Sequence, residues 1–139
     1  MQPAIICDVD GTIAIRGERG PYDMTRVSED TTNYIVAMVV KVFHTVDIKV
    51  VFTSGRDETA RHDTMEFLEN AISTPDFQLL MRETGDTRPD EIVKAEMFER
   101  IRQFYTVILV LDDRPKVVAM WRAAGLTCFQ VNEGPQEKQ

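Results

Sequence analysis

The chain has 139 residues, a net charge of −7, 43% hydrophobic residues and 28% charged residues, and this length suits one domain with a buried core. The balance of apolar and charged residues is typical of a soluble globular protein. The acidic charge argues against a large basic surface for non-specific nucleic-acid binding, although a few arginines could still bind the end of one strand.

The two cysteines, Cys7 and Cys128, both lie in apolar runs, which favours buried thiols over a disulfide framework. The longest apolar run, residues 35–40, is too short to cross a bilayer. No charged-then-apolar signal peptide precedes Asp8. We therefore expect a cytoplasmic protein that has no contact with a membrane.

The first predicted strand, residues 5–7, ends at two acids, Asp8 and Asp10, after which Gly11 and Thr12 turn the chain away. Alternate residues of a strand share a face, so we expect both carboxylates on one side, where strand pairing ends. Two carboxylates this close need a cation if both are to ionise. Mg²⁺ is the predicted cation because it prefers carboxylate and phosphate oxygens.

A polar, glycine-rich loop follows at residues 16–23, and we expect it to lie outside the core. Arg19 lies between Gly17 and Gly20 and could reach toward whatever the acids bind. Taken alone, this loop favours a solvated arginine.

A helix is predicted over residues 28–43, with Ser28 as its N-cap. The predicted apolar face consists of four residues at helical spacing: Ile35, Met38, Val39 and Val42.

The second predicted strand, residues 48–53, ends at Ser54, Gly55 and Arg56. A serine hydroxyl and free backbone N–H groups at a strand's carboxyl end suit a phosphate group. Arg56 could add a bidentate contact to the same phosphate. Serine is also a common turn residue, so this segment alone is weak evidence for a phosphate site. The acids that end the first predicted strand strengthen that interpretation.

A helix at residues 57–72 and a strand at 77–81 come next, and a charged turn leads into a helix over residues 90–104. Lys94 lies in the first turns of that helix, where the helix dipole disfavours a cation. One interpretation of Lys94 is a surface lysine. The other is a cation that neutralises a phosphorylated acidic site, and the unfavourable placement supports this second interpretation.

The fourth predicted strand, residues 107–111, is the most apolar and ends at Asp112 and Asp113. Two further carboxylates therefore follow a strand, which a solvated turn explains less well than a metal site does.

Strands and helices alternate through the chain, and a strand at 127–131 and a frayed tail at 132–139 complete one predicted domain of residues 1–139. This alternation predicts an α/β fold, a doubly wound sheet of five parallel strands with helices on both faces. We expect the strand order 3-2-1-4-5, which reverses between strands 1 and 4. Ligands bind at such a reversal, where four acids are expected to meet: Asp8, Asp10, Asp112 and Asp113.

The segment Asp8-Val9-Asp10-Gly11-Thr12 resembles the signature of the haloacid-dehalogenase superfamily of phosphotransferases. Further motifs recur in order along the chain: residues 19–23, Ser54-Gly55-Arg56, residues 85–88 with Asp90 and Lys94, and Asp112-Asp113-Arg114 with residues 120–122. Together they are similar to the 3′-phosphatase domain of phage-type polynucleotide kinase-phosphatases, over residues 5–131. The resemblance implies a Rossmann-like phosphatase domain with little or no cap.

The resemblance also implies an activity: a Mg²⁺-dependent polynucleotide 3′-phosphatase that removes 3′-terminal phosphate through an aspartyl-phosphate intermediate. Asp8 would be the nucleophile and Asp10 the general acid and base, while Ser54 and Lys94 would hold the phosphoryl charge. The residues implied on the substrate side are Thr12, Arg19, Arg56, Arg88 and Asp90. The implied ligands of Mg²⁺ are Asp8, the backbone carbonyl of Asp10, and Asp112 or Asp113.

The implied partners are 3′-phosphorylated DNA or RNA ends. The kinase half is missing, because no G-x-x-x-x-G-K-[ST] phosphate loop occurs in this sequence. Two expectations therefore stay open: a stand-alone phosphatase, or a fragment that works with a kinase domain or subunit outside this chain. Two other functions stay open. A small-molecule or nucleotide phosphatase would use the same chemistry. A non-catalytic phospho-receiver module would share the fold and the acids, but its phospho-accepting aspartate should end a middle strand, where this chain has Ser54.

Overall fold

The computed structural model describes residues 1–17, 19–20 and 22–134. The strands are β1 (Gln2–Asp8), β2 (Ala14–Ile15), β3 (Thr31–Thr32), β4 (Lys49–Asp57), β5 (Gln78–Arg82), β6 (Tyr105–Asp112) and β7 (Cys128–Gln130). The α-helices are α1 (Tyr34–Thr45), α2 (Arg61–Ile72), α3 (Asp90–Ile101) and α4 (Pro115–Ala123). Two short 3-10 helices cover Met24–Glu29 and Glu58–Ala60.

Five strands form one parallel sheet in the order β5-β4-β1-β6-β7. Numbered among themselves along the chain, these strands follow the order 3-2-1-4-5, so the predicted topology is confirmed. The order reverses between β1 and β6, whose carboxyl ends therefore lie side by side. The strands β2 and β3 form a separate antiparallel pair, which the sequence patterns did not predict.

The central strand β1 is held by helices on both faces of the sheet. Ile5 and Cys7 are fully buried against α1 and α2, whereas Ala4 and Ile6 are fully buried against α3 and α4. Fully burying an aliphatic side chain contributes about 1.5–3 kcal/mol. The two layers thus fix β1, and with it the position of Asp8 at its carboxyl end.

Helix α1 begins later than predicted. It starts at Tyr34, and the N-cap is Asn33, whose side-chain oxygen accepts the backbone N–H of Val36 at 3.4 Å. The predicted cap, Ser28, lies in the 3-10 helix Met24–Glu29. Asparagine and serine are both strong N-cap residues, so the sequence alone offered two candidate start points.

The buried face of α1 also differs from the prediction. Val36, Ala37 and Val40 face the sheet, whereas Ile35 and Met38 are 70% and 59% exposed. The helix is apolar on nearly every side, so its periodicity contains two stripes that both satisfy the spacing rule. Helix α3 buries Val93 and Lys94 together with Met97, Phe98 and Ile101, whereas Ile92 is 46% exposed.

Both cysteines are buried free thiols, as the apolar runs predicted. The first residues of the predicted frayed tail are tied down, because the side chain of Asn132 donates to the backbone oxygen of Gly11 at 2.7 Å. The rest of that tail, residues 135–139, lies outside the described residues. Among the described residues, none of the helices is both long and apolar enough to cross a bilayer.

Candidate active site

Three aspartates meet where the sheet order reverses. Asp8 ends β1, and Asp112 and Asp113 lie at the end of the neighbouring strand β6. Carboxylate oxygens of the three residues lie within 4.8 Å of one another, and all three side chains are buried. The strand-end pattern thus brings these predicted acids together as the sequence implied.

Lys94 supplies the positive charge inside this cluster. Its ammonium group donates to Asp8 Oδ1 and, at 3.3 Å, to Asp112 Oδ2, and Lys94 is only 3% exposed. Burial alone would lower the pKa of Lys94, but the charges of Asp112 and Asp8 raise it above its ordinary value. Lys94 therefore stays an ammonium ion, and its place in α3 is explained by the acids it faces.

The hydroxyl of Thr12 lies between two of the acids. Thr12 Oγ1 is 3.0 Å from Asp8 Oδ2 and 3.2 Å from Asp113 Oδ1, and Thr12 is fully buried. One hydroxyl proton can serve only one of these oxygens at a time. Thr12 was expected on the substrate side, and its hydrogen bonds instead orient the carboxylates.

The cluster carries more negative charge than Lys94 can balance. Burial raises the pKa of Asp8 well above its usual range, and the charges of Asp112 and Asp113 raise it further while Lys94 opposes them. Burial and Asp112 likewise raise the pKa of Asp113. Three carboxylates face one ammonium group, so the charge of a divalent cation bound here would allow all three carboxylates to ionise.

The oxygens of Asp112 are already occupied by hydrogen bonds. Oδ1 accepts the backbone N–H groups of Asp113 and Arg114 at 2.8 and 3.2 Å. Oδ2 accepts Lys94 and the indole N–H of Trp121, the latter at 3.0 Å. Asp112 therefore has little capacity left for a metal ion, whereas Asp113 accepts a hydrogen bond from Thr12 on Oδ1.

Gly11 lets Asp113 approach the turn after β1. A Cβ atom at Gly11 would lie 2.3 Å from Asp113 Oδ2, and Gly11 has a φ of 78°, which only glycine adopts at little cost. The residues present thus fit a Mg²⁺ ion between Asp8 and Asp113, with hard oxygen ligands.

In the described part of the chain, the side chain of Asp10 lies outside the cluster of Asp8, Asp112 and Asp113. It belongs to a second cluster, which contains arginines. Arg56 contacts it in a bidentate manner, with Nε 3.0 Å from Oδ2 and Nη2 2.8 Å from Oδ1. Arg19 adds a contact from Nη2 at 3.2 Å. Two arginines therefore contact the side chain of Asp10, a pairing that the spacing of Asp8 and Asp10 alone does not indicate.

Asp30 holds both arginines, and the sequence analysis missed it. Its side chain is fully buried and accepts Arg19 Nε at 2.9 Å and Arg56 Nη2 at 2.6 Å. Arg56 Nη1 donates in addition to Thr64 Oγ1 at 2.9 Å. Asp30 lies 20 positions after Asp10 and belongs to no recognised motif, so its role is apparent only once β2 and β3 have paired.

Arg19 is buried, although its loop was expected to lie outside the core. It is 3% exposed, and the hydrogen bond to Asp30 raises its pKa above the ordinary value. Arg19 therefore reaches the acids and is not the solvated arginine that the loop alone favoured.

Ser54 and its neighbour Thr53 lie in β4, next to Asp8 at the carboxyl end of β1. Ser54 Oγ accepts the backbone N–H of Arg56 at 3.0 Å, and both residues are buried. Thr53 is in register with Asp8 on the adjacent strand. Thr53 Oγ1 is the one buried side-chain oxygen or nitrogen in the described part of the chain that has no hydrogen-bond partner.

Asp90 is paired within the protein. It accepts hydrogen bonds from Arg82 and Arg114 and so links the ends of β5 and β6 to the start of α3. A Cβ atom at Gly55 would lie 2.6 Å from Asp90 Oδ1, which explains the glycine between Ser54 and Arg56.

Arg88, also expected on the substrate side, is half exposed and binds other acids. Its guanidinium donates to Asp86 at 2.9 and 3.0 Å and also contacts Glu96. Within the described part of the chain, the structure thus brings Arg88 together with Asp86 and Glu96 and not with Asp8.

Comparison with known proteins places the chain in a family. The family model described as "Polynucleotide kinase PNKP phosphatase domain" matches residues 2–135. A protein of Autographa californica nuclear polyhedrosis virus, named for polynucleotide kinase and RNA ligase functions, is 38% identical over 122 residues, which are 86% of this chain and 18% of that protein.

Solved structures with a similar fold were also found. A chain from the structure of the Pnkp1/Rnl/Hen1 RNA repair complex is 43% identical with a TM-score of 0.88, covering 96% of this chain and 43% of that one. A class C acid phosphatase from Bacillus anthracis shares the fold, with a TM-score of 0.64 at 16% identity over 81% of this chain and 52% of its own. The chain spans less than half the length of the viral protein and of the Pnkp1/Rnl/Hen1 chain. The match over nearly its whole length confirms the predicted resemblance: this chain belongs to the family of the polynucleotide kinase PNKP phosphatase domain.

Proposed function

We propose that this chain is a single phosphatase domain that removes the 3′-terminal phosphate of a DNA or RNA end through an aspartyl-phosphate on Asp8. The observation that carries the proposal is the contrast between two aspartates two residues apart. Asp8 is buried against Lys94, whereas the side chain of Asp10 is 44% exposed and is held by Arg19 and Arg56. One carboxylate is thus set up to attack phosphorus, and the other to exchange protons with substrate and water.

In the first step an oxygen of Asp8 bonds to phosphorus while the bond from phosphorus to the 3′-oxygen breaks. Asp10 donates its proton to that departing oxygen, which leaves as a hydroxyl. In the second step Asp10 takes a proton from water, whose oxygen attacks the phosphoryl group and releases Asp8. Proton balance is closed because Asp10 regains in the second step the proton it gave in the first.

Asp8 must be ionised to attack, although burial and its neighbours raise its pKa. Lys94 favours the ionised form through its contact with Asp8 Oδ1. The same ammonium group can stabilise charge on the phosphoryl oxygens as Asp8 becomes esterified. Ser54 and the unpaired hydroxyl of Thr53, which lie in β4 beside the carboxyl end of β1, are further donors for that group.

Arg19 and Arg56 act on Asp10 in this proposal more than on the phosphate. The Nε and both terminal nitrogens of Arg56 already contact protein oxygens, on Asp10, Asp30 and Thr64. A guanidinium so fully paired is well suited to keep a carboxylate in one orientation. Arg56 was expected to bind phosphate from its sequence context, and the pairing favours the positioning role.

Asp8, Asp113 and the backbone carbonyl of Asp10 would hold Mg²⁺, with Asp112 supporting them through Lys94. Mg²⁺ supplies positive charge that offsets the clustered carboxylates and the transferred phosphoryl group. Asp90 is proposed to fix the substrate side of the crevice indirectly, by holding Arg82 and Arg114 in place.

The nucleic-acid substrate is supported by the family and by the names of the relatives. The viral relative is named for polynucleotide kinase and RNA ligase functions, and the Pnkp1 chain comes from an RNA repair complex. We propose that this domain acts on strand ends in nucleic-acid repair, alongside a kinase activity. The net charge of −7 suits a protein that binds the end of a strand, because binding a long phosphate backbone requires a basic surface.

The test is a comparison of kcat/KM for matched oligonucleotides that carry either a 3′- or a 5′-phosphate, and for mononucleotides, with Mg²⁺ and with EDTA. We expect removal of the 3′-phosphate only, dependence on Mg²⁺, and a shallow salt dependence, since each single-strand phosphate contact adds about 0.7 to the slope. Equal rates at both ends, or a strong preference for free mononucleotides, would replace this function with a general or nucleotide phosphatase. Activity that survives thorough chelation would exclude the metal.

A further inference from the structure

We propose that a cavity beside the catalytic acid Asp10 binds the nucleobase of the nucleotide whose 3′-phosphate is removed. This inference rests on the proposed function and names the substrate feature that the same site recognises. The cavity has a volume of about 350 Å³ and lies between the start of α1 and helix α2. It is lined by β3 together with Asp30, Tyr34, Asp63, Glu66, Phe67 and Asn70.

Two arginines, Arg56 and Arg19, connect Asp30 at the border of the cavity to the catalytic acid. Arg56 Nη2 lies 2.8 Å from Asp10 Oδ1 and 2.6 Å from Asp30 Oδ2, and Asp30 borders the cavity. Arg56 Nη1 donates to Thr64, which directly follows Asp63 of the cavity lining. In a nucleoside 3′-phosphate one sugar ring separates the phosphate from the base. A base in this cavity is therefore compatible with a leaving oxygen near Asp10.

The wall formed by β3 is fixed to the segment that follows the catalytic acids. Thr32 pairs with Ala14, and Ala14 itself forms a bridge with Asp10. The backbone N–H of Asn33 donates to the oxygen of Ile13 at 2.8 Å. These bonds keep the cavity at a constant position relative to Asp10, as a specificity site requires.

Two aromatic rings line the cavity. Tyr34 is the first residue of α1 and is 78% exposed, so most of its ring is available to a ligand. Phe67 is partly buried and packs its inner side on the core. Bases stack on such rings whatever their identity, and a stacking contact contributes roughly a tenfold change in affinity or more.

Two carboxylates line the cavity and act as hydrogen-bond acceptors when ionised, those of Asp63 and Glu66. The side chains of Asn70, Thr31 and Thr32 can both donate and accept. Adenine, cytosine and guanine carry exocyclic amino groups that can donate to the carboxylates, whereas uracil and thymine carry none. The same carboxylates repel phosphates, so the cavity suits one base and excludes the backbone of a neighbouring nucleotide.

The experiment compares adenosine 3′-monophosphate with ribose 3-phosphate, which lacks the base, in the wild type, Tyr34→Ala and Tyr34→Phe. We expect Tyr34→Ala to lower kcat/KM for the nucleotide about tenfold, mainly through KM, and to affect ribose 3-phosphate much less. Tyr34→Phe keeps the ring and should stay close to the wild type. Ile35→Ala is the matched control, because Ile35 is equally exposed on the same helix and lies outside the cavity lining.

A second arm tests the acceptors. The wild type should prefer adenosine over uridine 3′-monophosphate, and Asp63→Ala combined with Glu66→Ala should abolish this preference. Glu69→Ala, on the exposed side of α2 and outside the cavity lining, should leave the preference intact. A third readout is binding of adenosine alone to Asp8→Asn protein, which needs no turnover and should be weakened by Tyr34→Ala.

Equal losses with the nucleotide and with ribose 3-phosphate would overturn the inference, and so would an unchanged kcat/KM for the nucleotide in Tyr34→Ala. Tight binding of small amines but not of adenosine would assign the cavity to a cationic ligand instead. These outcomes leave the proposed function standing. Failure of the wild type to hydrolyse any 3′-phosphorylated nucleotide or oligonucleotide would instead overturn the proposed function.

Discussion

Trp121 donates its indole N–H to Asp112 Oδ2 at 3.0 Å, and both side chains are fully buried. With Lys94 on the same oxygen and two backbone N–H groups on the other, Asp112 accepts four hydrogen bonds. These four hydrogen bonds hold the Asp112 carboxylate in one orientation, so that it positions the ammonium group of Lys94. We infer that Asp113 is the acid of this pair that contacts the metal, which the sequence left open.

Trp121→Phe should remove the indole donor while keeping an aromatic ring in the core. A hydrogen bond to a charged group contributes about 1.5–3 kcal/mol, so we expect a loss of this order in the free energy of unfolding, measured in urea. We also expect kcat to fall about tenfold, with KM nearly unchanged, because Asp112 would hold Lys94 less rigidly.

The matched control is Phe98→Leu, since Phe98 packs edge-on against Trp121 with ring centroids 6.1 Å apart. It should cost stability without changing kcat. If both variants lower kcat in proportion to their loss of stability, the hydrogen bond has no positioning role.

The two neighbouring aspartates should respond differently to Mg²⁺. Asp113→Asn removes a proposed ligand, so the Mg²⁺ concentration for half-maximal activity should rise about tenfold or more, and high Mg²⁺ should restore part of the activity. Asp112→Asn removes a partner of Lys94, and added Mg²⁺ should not rescue it. The measurement is activity against Mg²⁺ concentration, and the opposite pattern would assign the metal contact to Asp112.

Asp8→Asn and Asp10→Asn should fail at different steps. Asp8→Asn should fold but lose turnover entirely, and it should trap no phosphoryl group after acid quenching. Asp10→Asn should lose about 10²–10⁴ in rate on an oligonucleotide, because a general acid and base is missing.

With p-nitrophenyl phosphate, whose leaving group needs no proton, Asp10→Asn should still form the aspartyl-phosphate and then hydrolyse it slowly. The phosphorylated protein should therefore accumulate in this variant and be visible by mass spectrometry. Accumulation in Asp8→Asn, or turnover by folded Asp8→Asn protein, would contradict the aspartyl-phosphate mechanism.

Thr53→Val tests the one unpaired buried hydroxyl of the described residues. A buried hydroxyl without a partner costs about 1–3 kcal/mol, so the valine variant should be as stable as the wild type or more stable in thermal unfolding. If the hydroxyl serves the phosphoryl group, kcat/KM should fall at the same time. A variant with unchanged kcat/KM would show that Thr53 plays no part in the reaction, and Thr45→Val, on the exposed end of α1, is the control.

The sequence predicted the sheet and the first acidic cluster because both follow from local patterns. Short apolar runs that end in Asp8 and Asp112 specify buried parallel strands, and the carboxyl ends of neighbouring strands necessarily meet. The placement of Lys94 against the helix dipole was a usable signal because the cost had to be offset by something nearby, and that partner is the acid cluster.

The errors arose where the choice depends on contacts across the chain. Helix α1 offered two apolar stripes, and only packing against β1 and β4 selects Val36 and Val40 over Ile35 and Met38. Asp30 resembles any surface acid in the sequence. Its burial becomes apparent only when two arginines from distant segments converge on it, and no local pattern encodes that convergence.

Asp90→Asn should give a pH-dependent loss of stability. Burial would raise the pKa of Asp90, but Lys94, Arg114 and Arg82 outweigh it and hold the pKa below its usual range. A carboxyl with a lowered pKa in the folded state binds fewer protons there than in the unfolded state. Its stabilisation is therefore fully present above the unfolded pKa, and it is lost as the pH falls through the folded pKa.

The difference in free energy of unfolding between the wild type and Asp90→Asn should accordingly be constant, at roughly 1–3 kcal/mol, from neutral pH down to about pH 5. It should shrink as the pH falls below about 4, where the unfolded state binds a proton that the folded state does not yet bind, and it should level off once the folded carboxyl is protonated as well. Urea unfolding at a series of pH values measures this difference. Glu96→Gln is the control, because Glu96 pairs with Arg88 at the surface and should change stability by less than about 1 kcal/mol at every pH. A wild-type advantage that persists unchanged into acid would mean that Asp90 stabilises the fold by its shape and not by its charge.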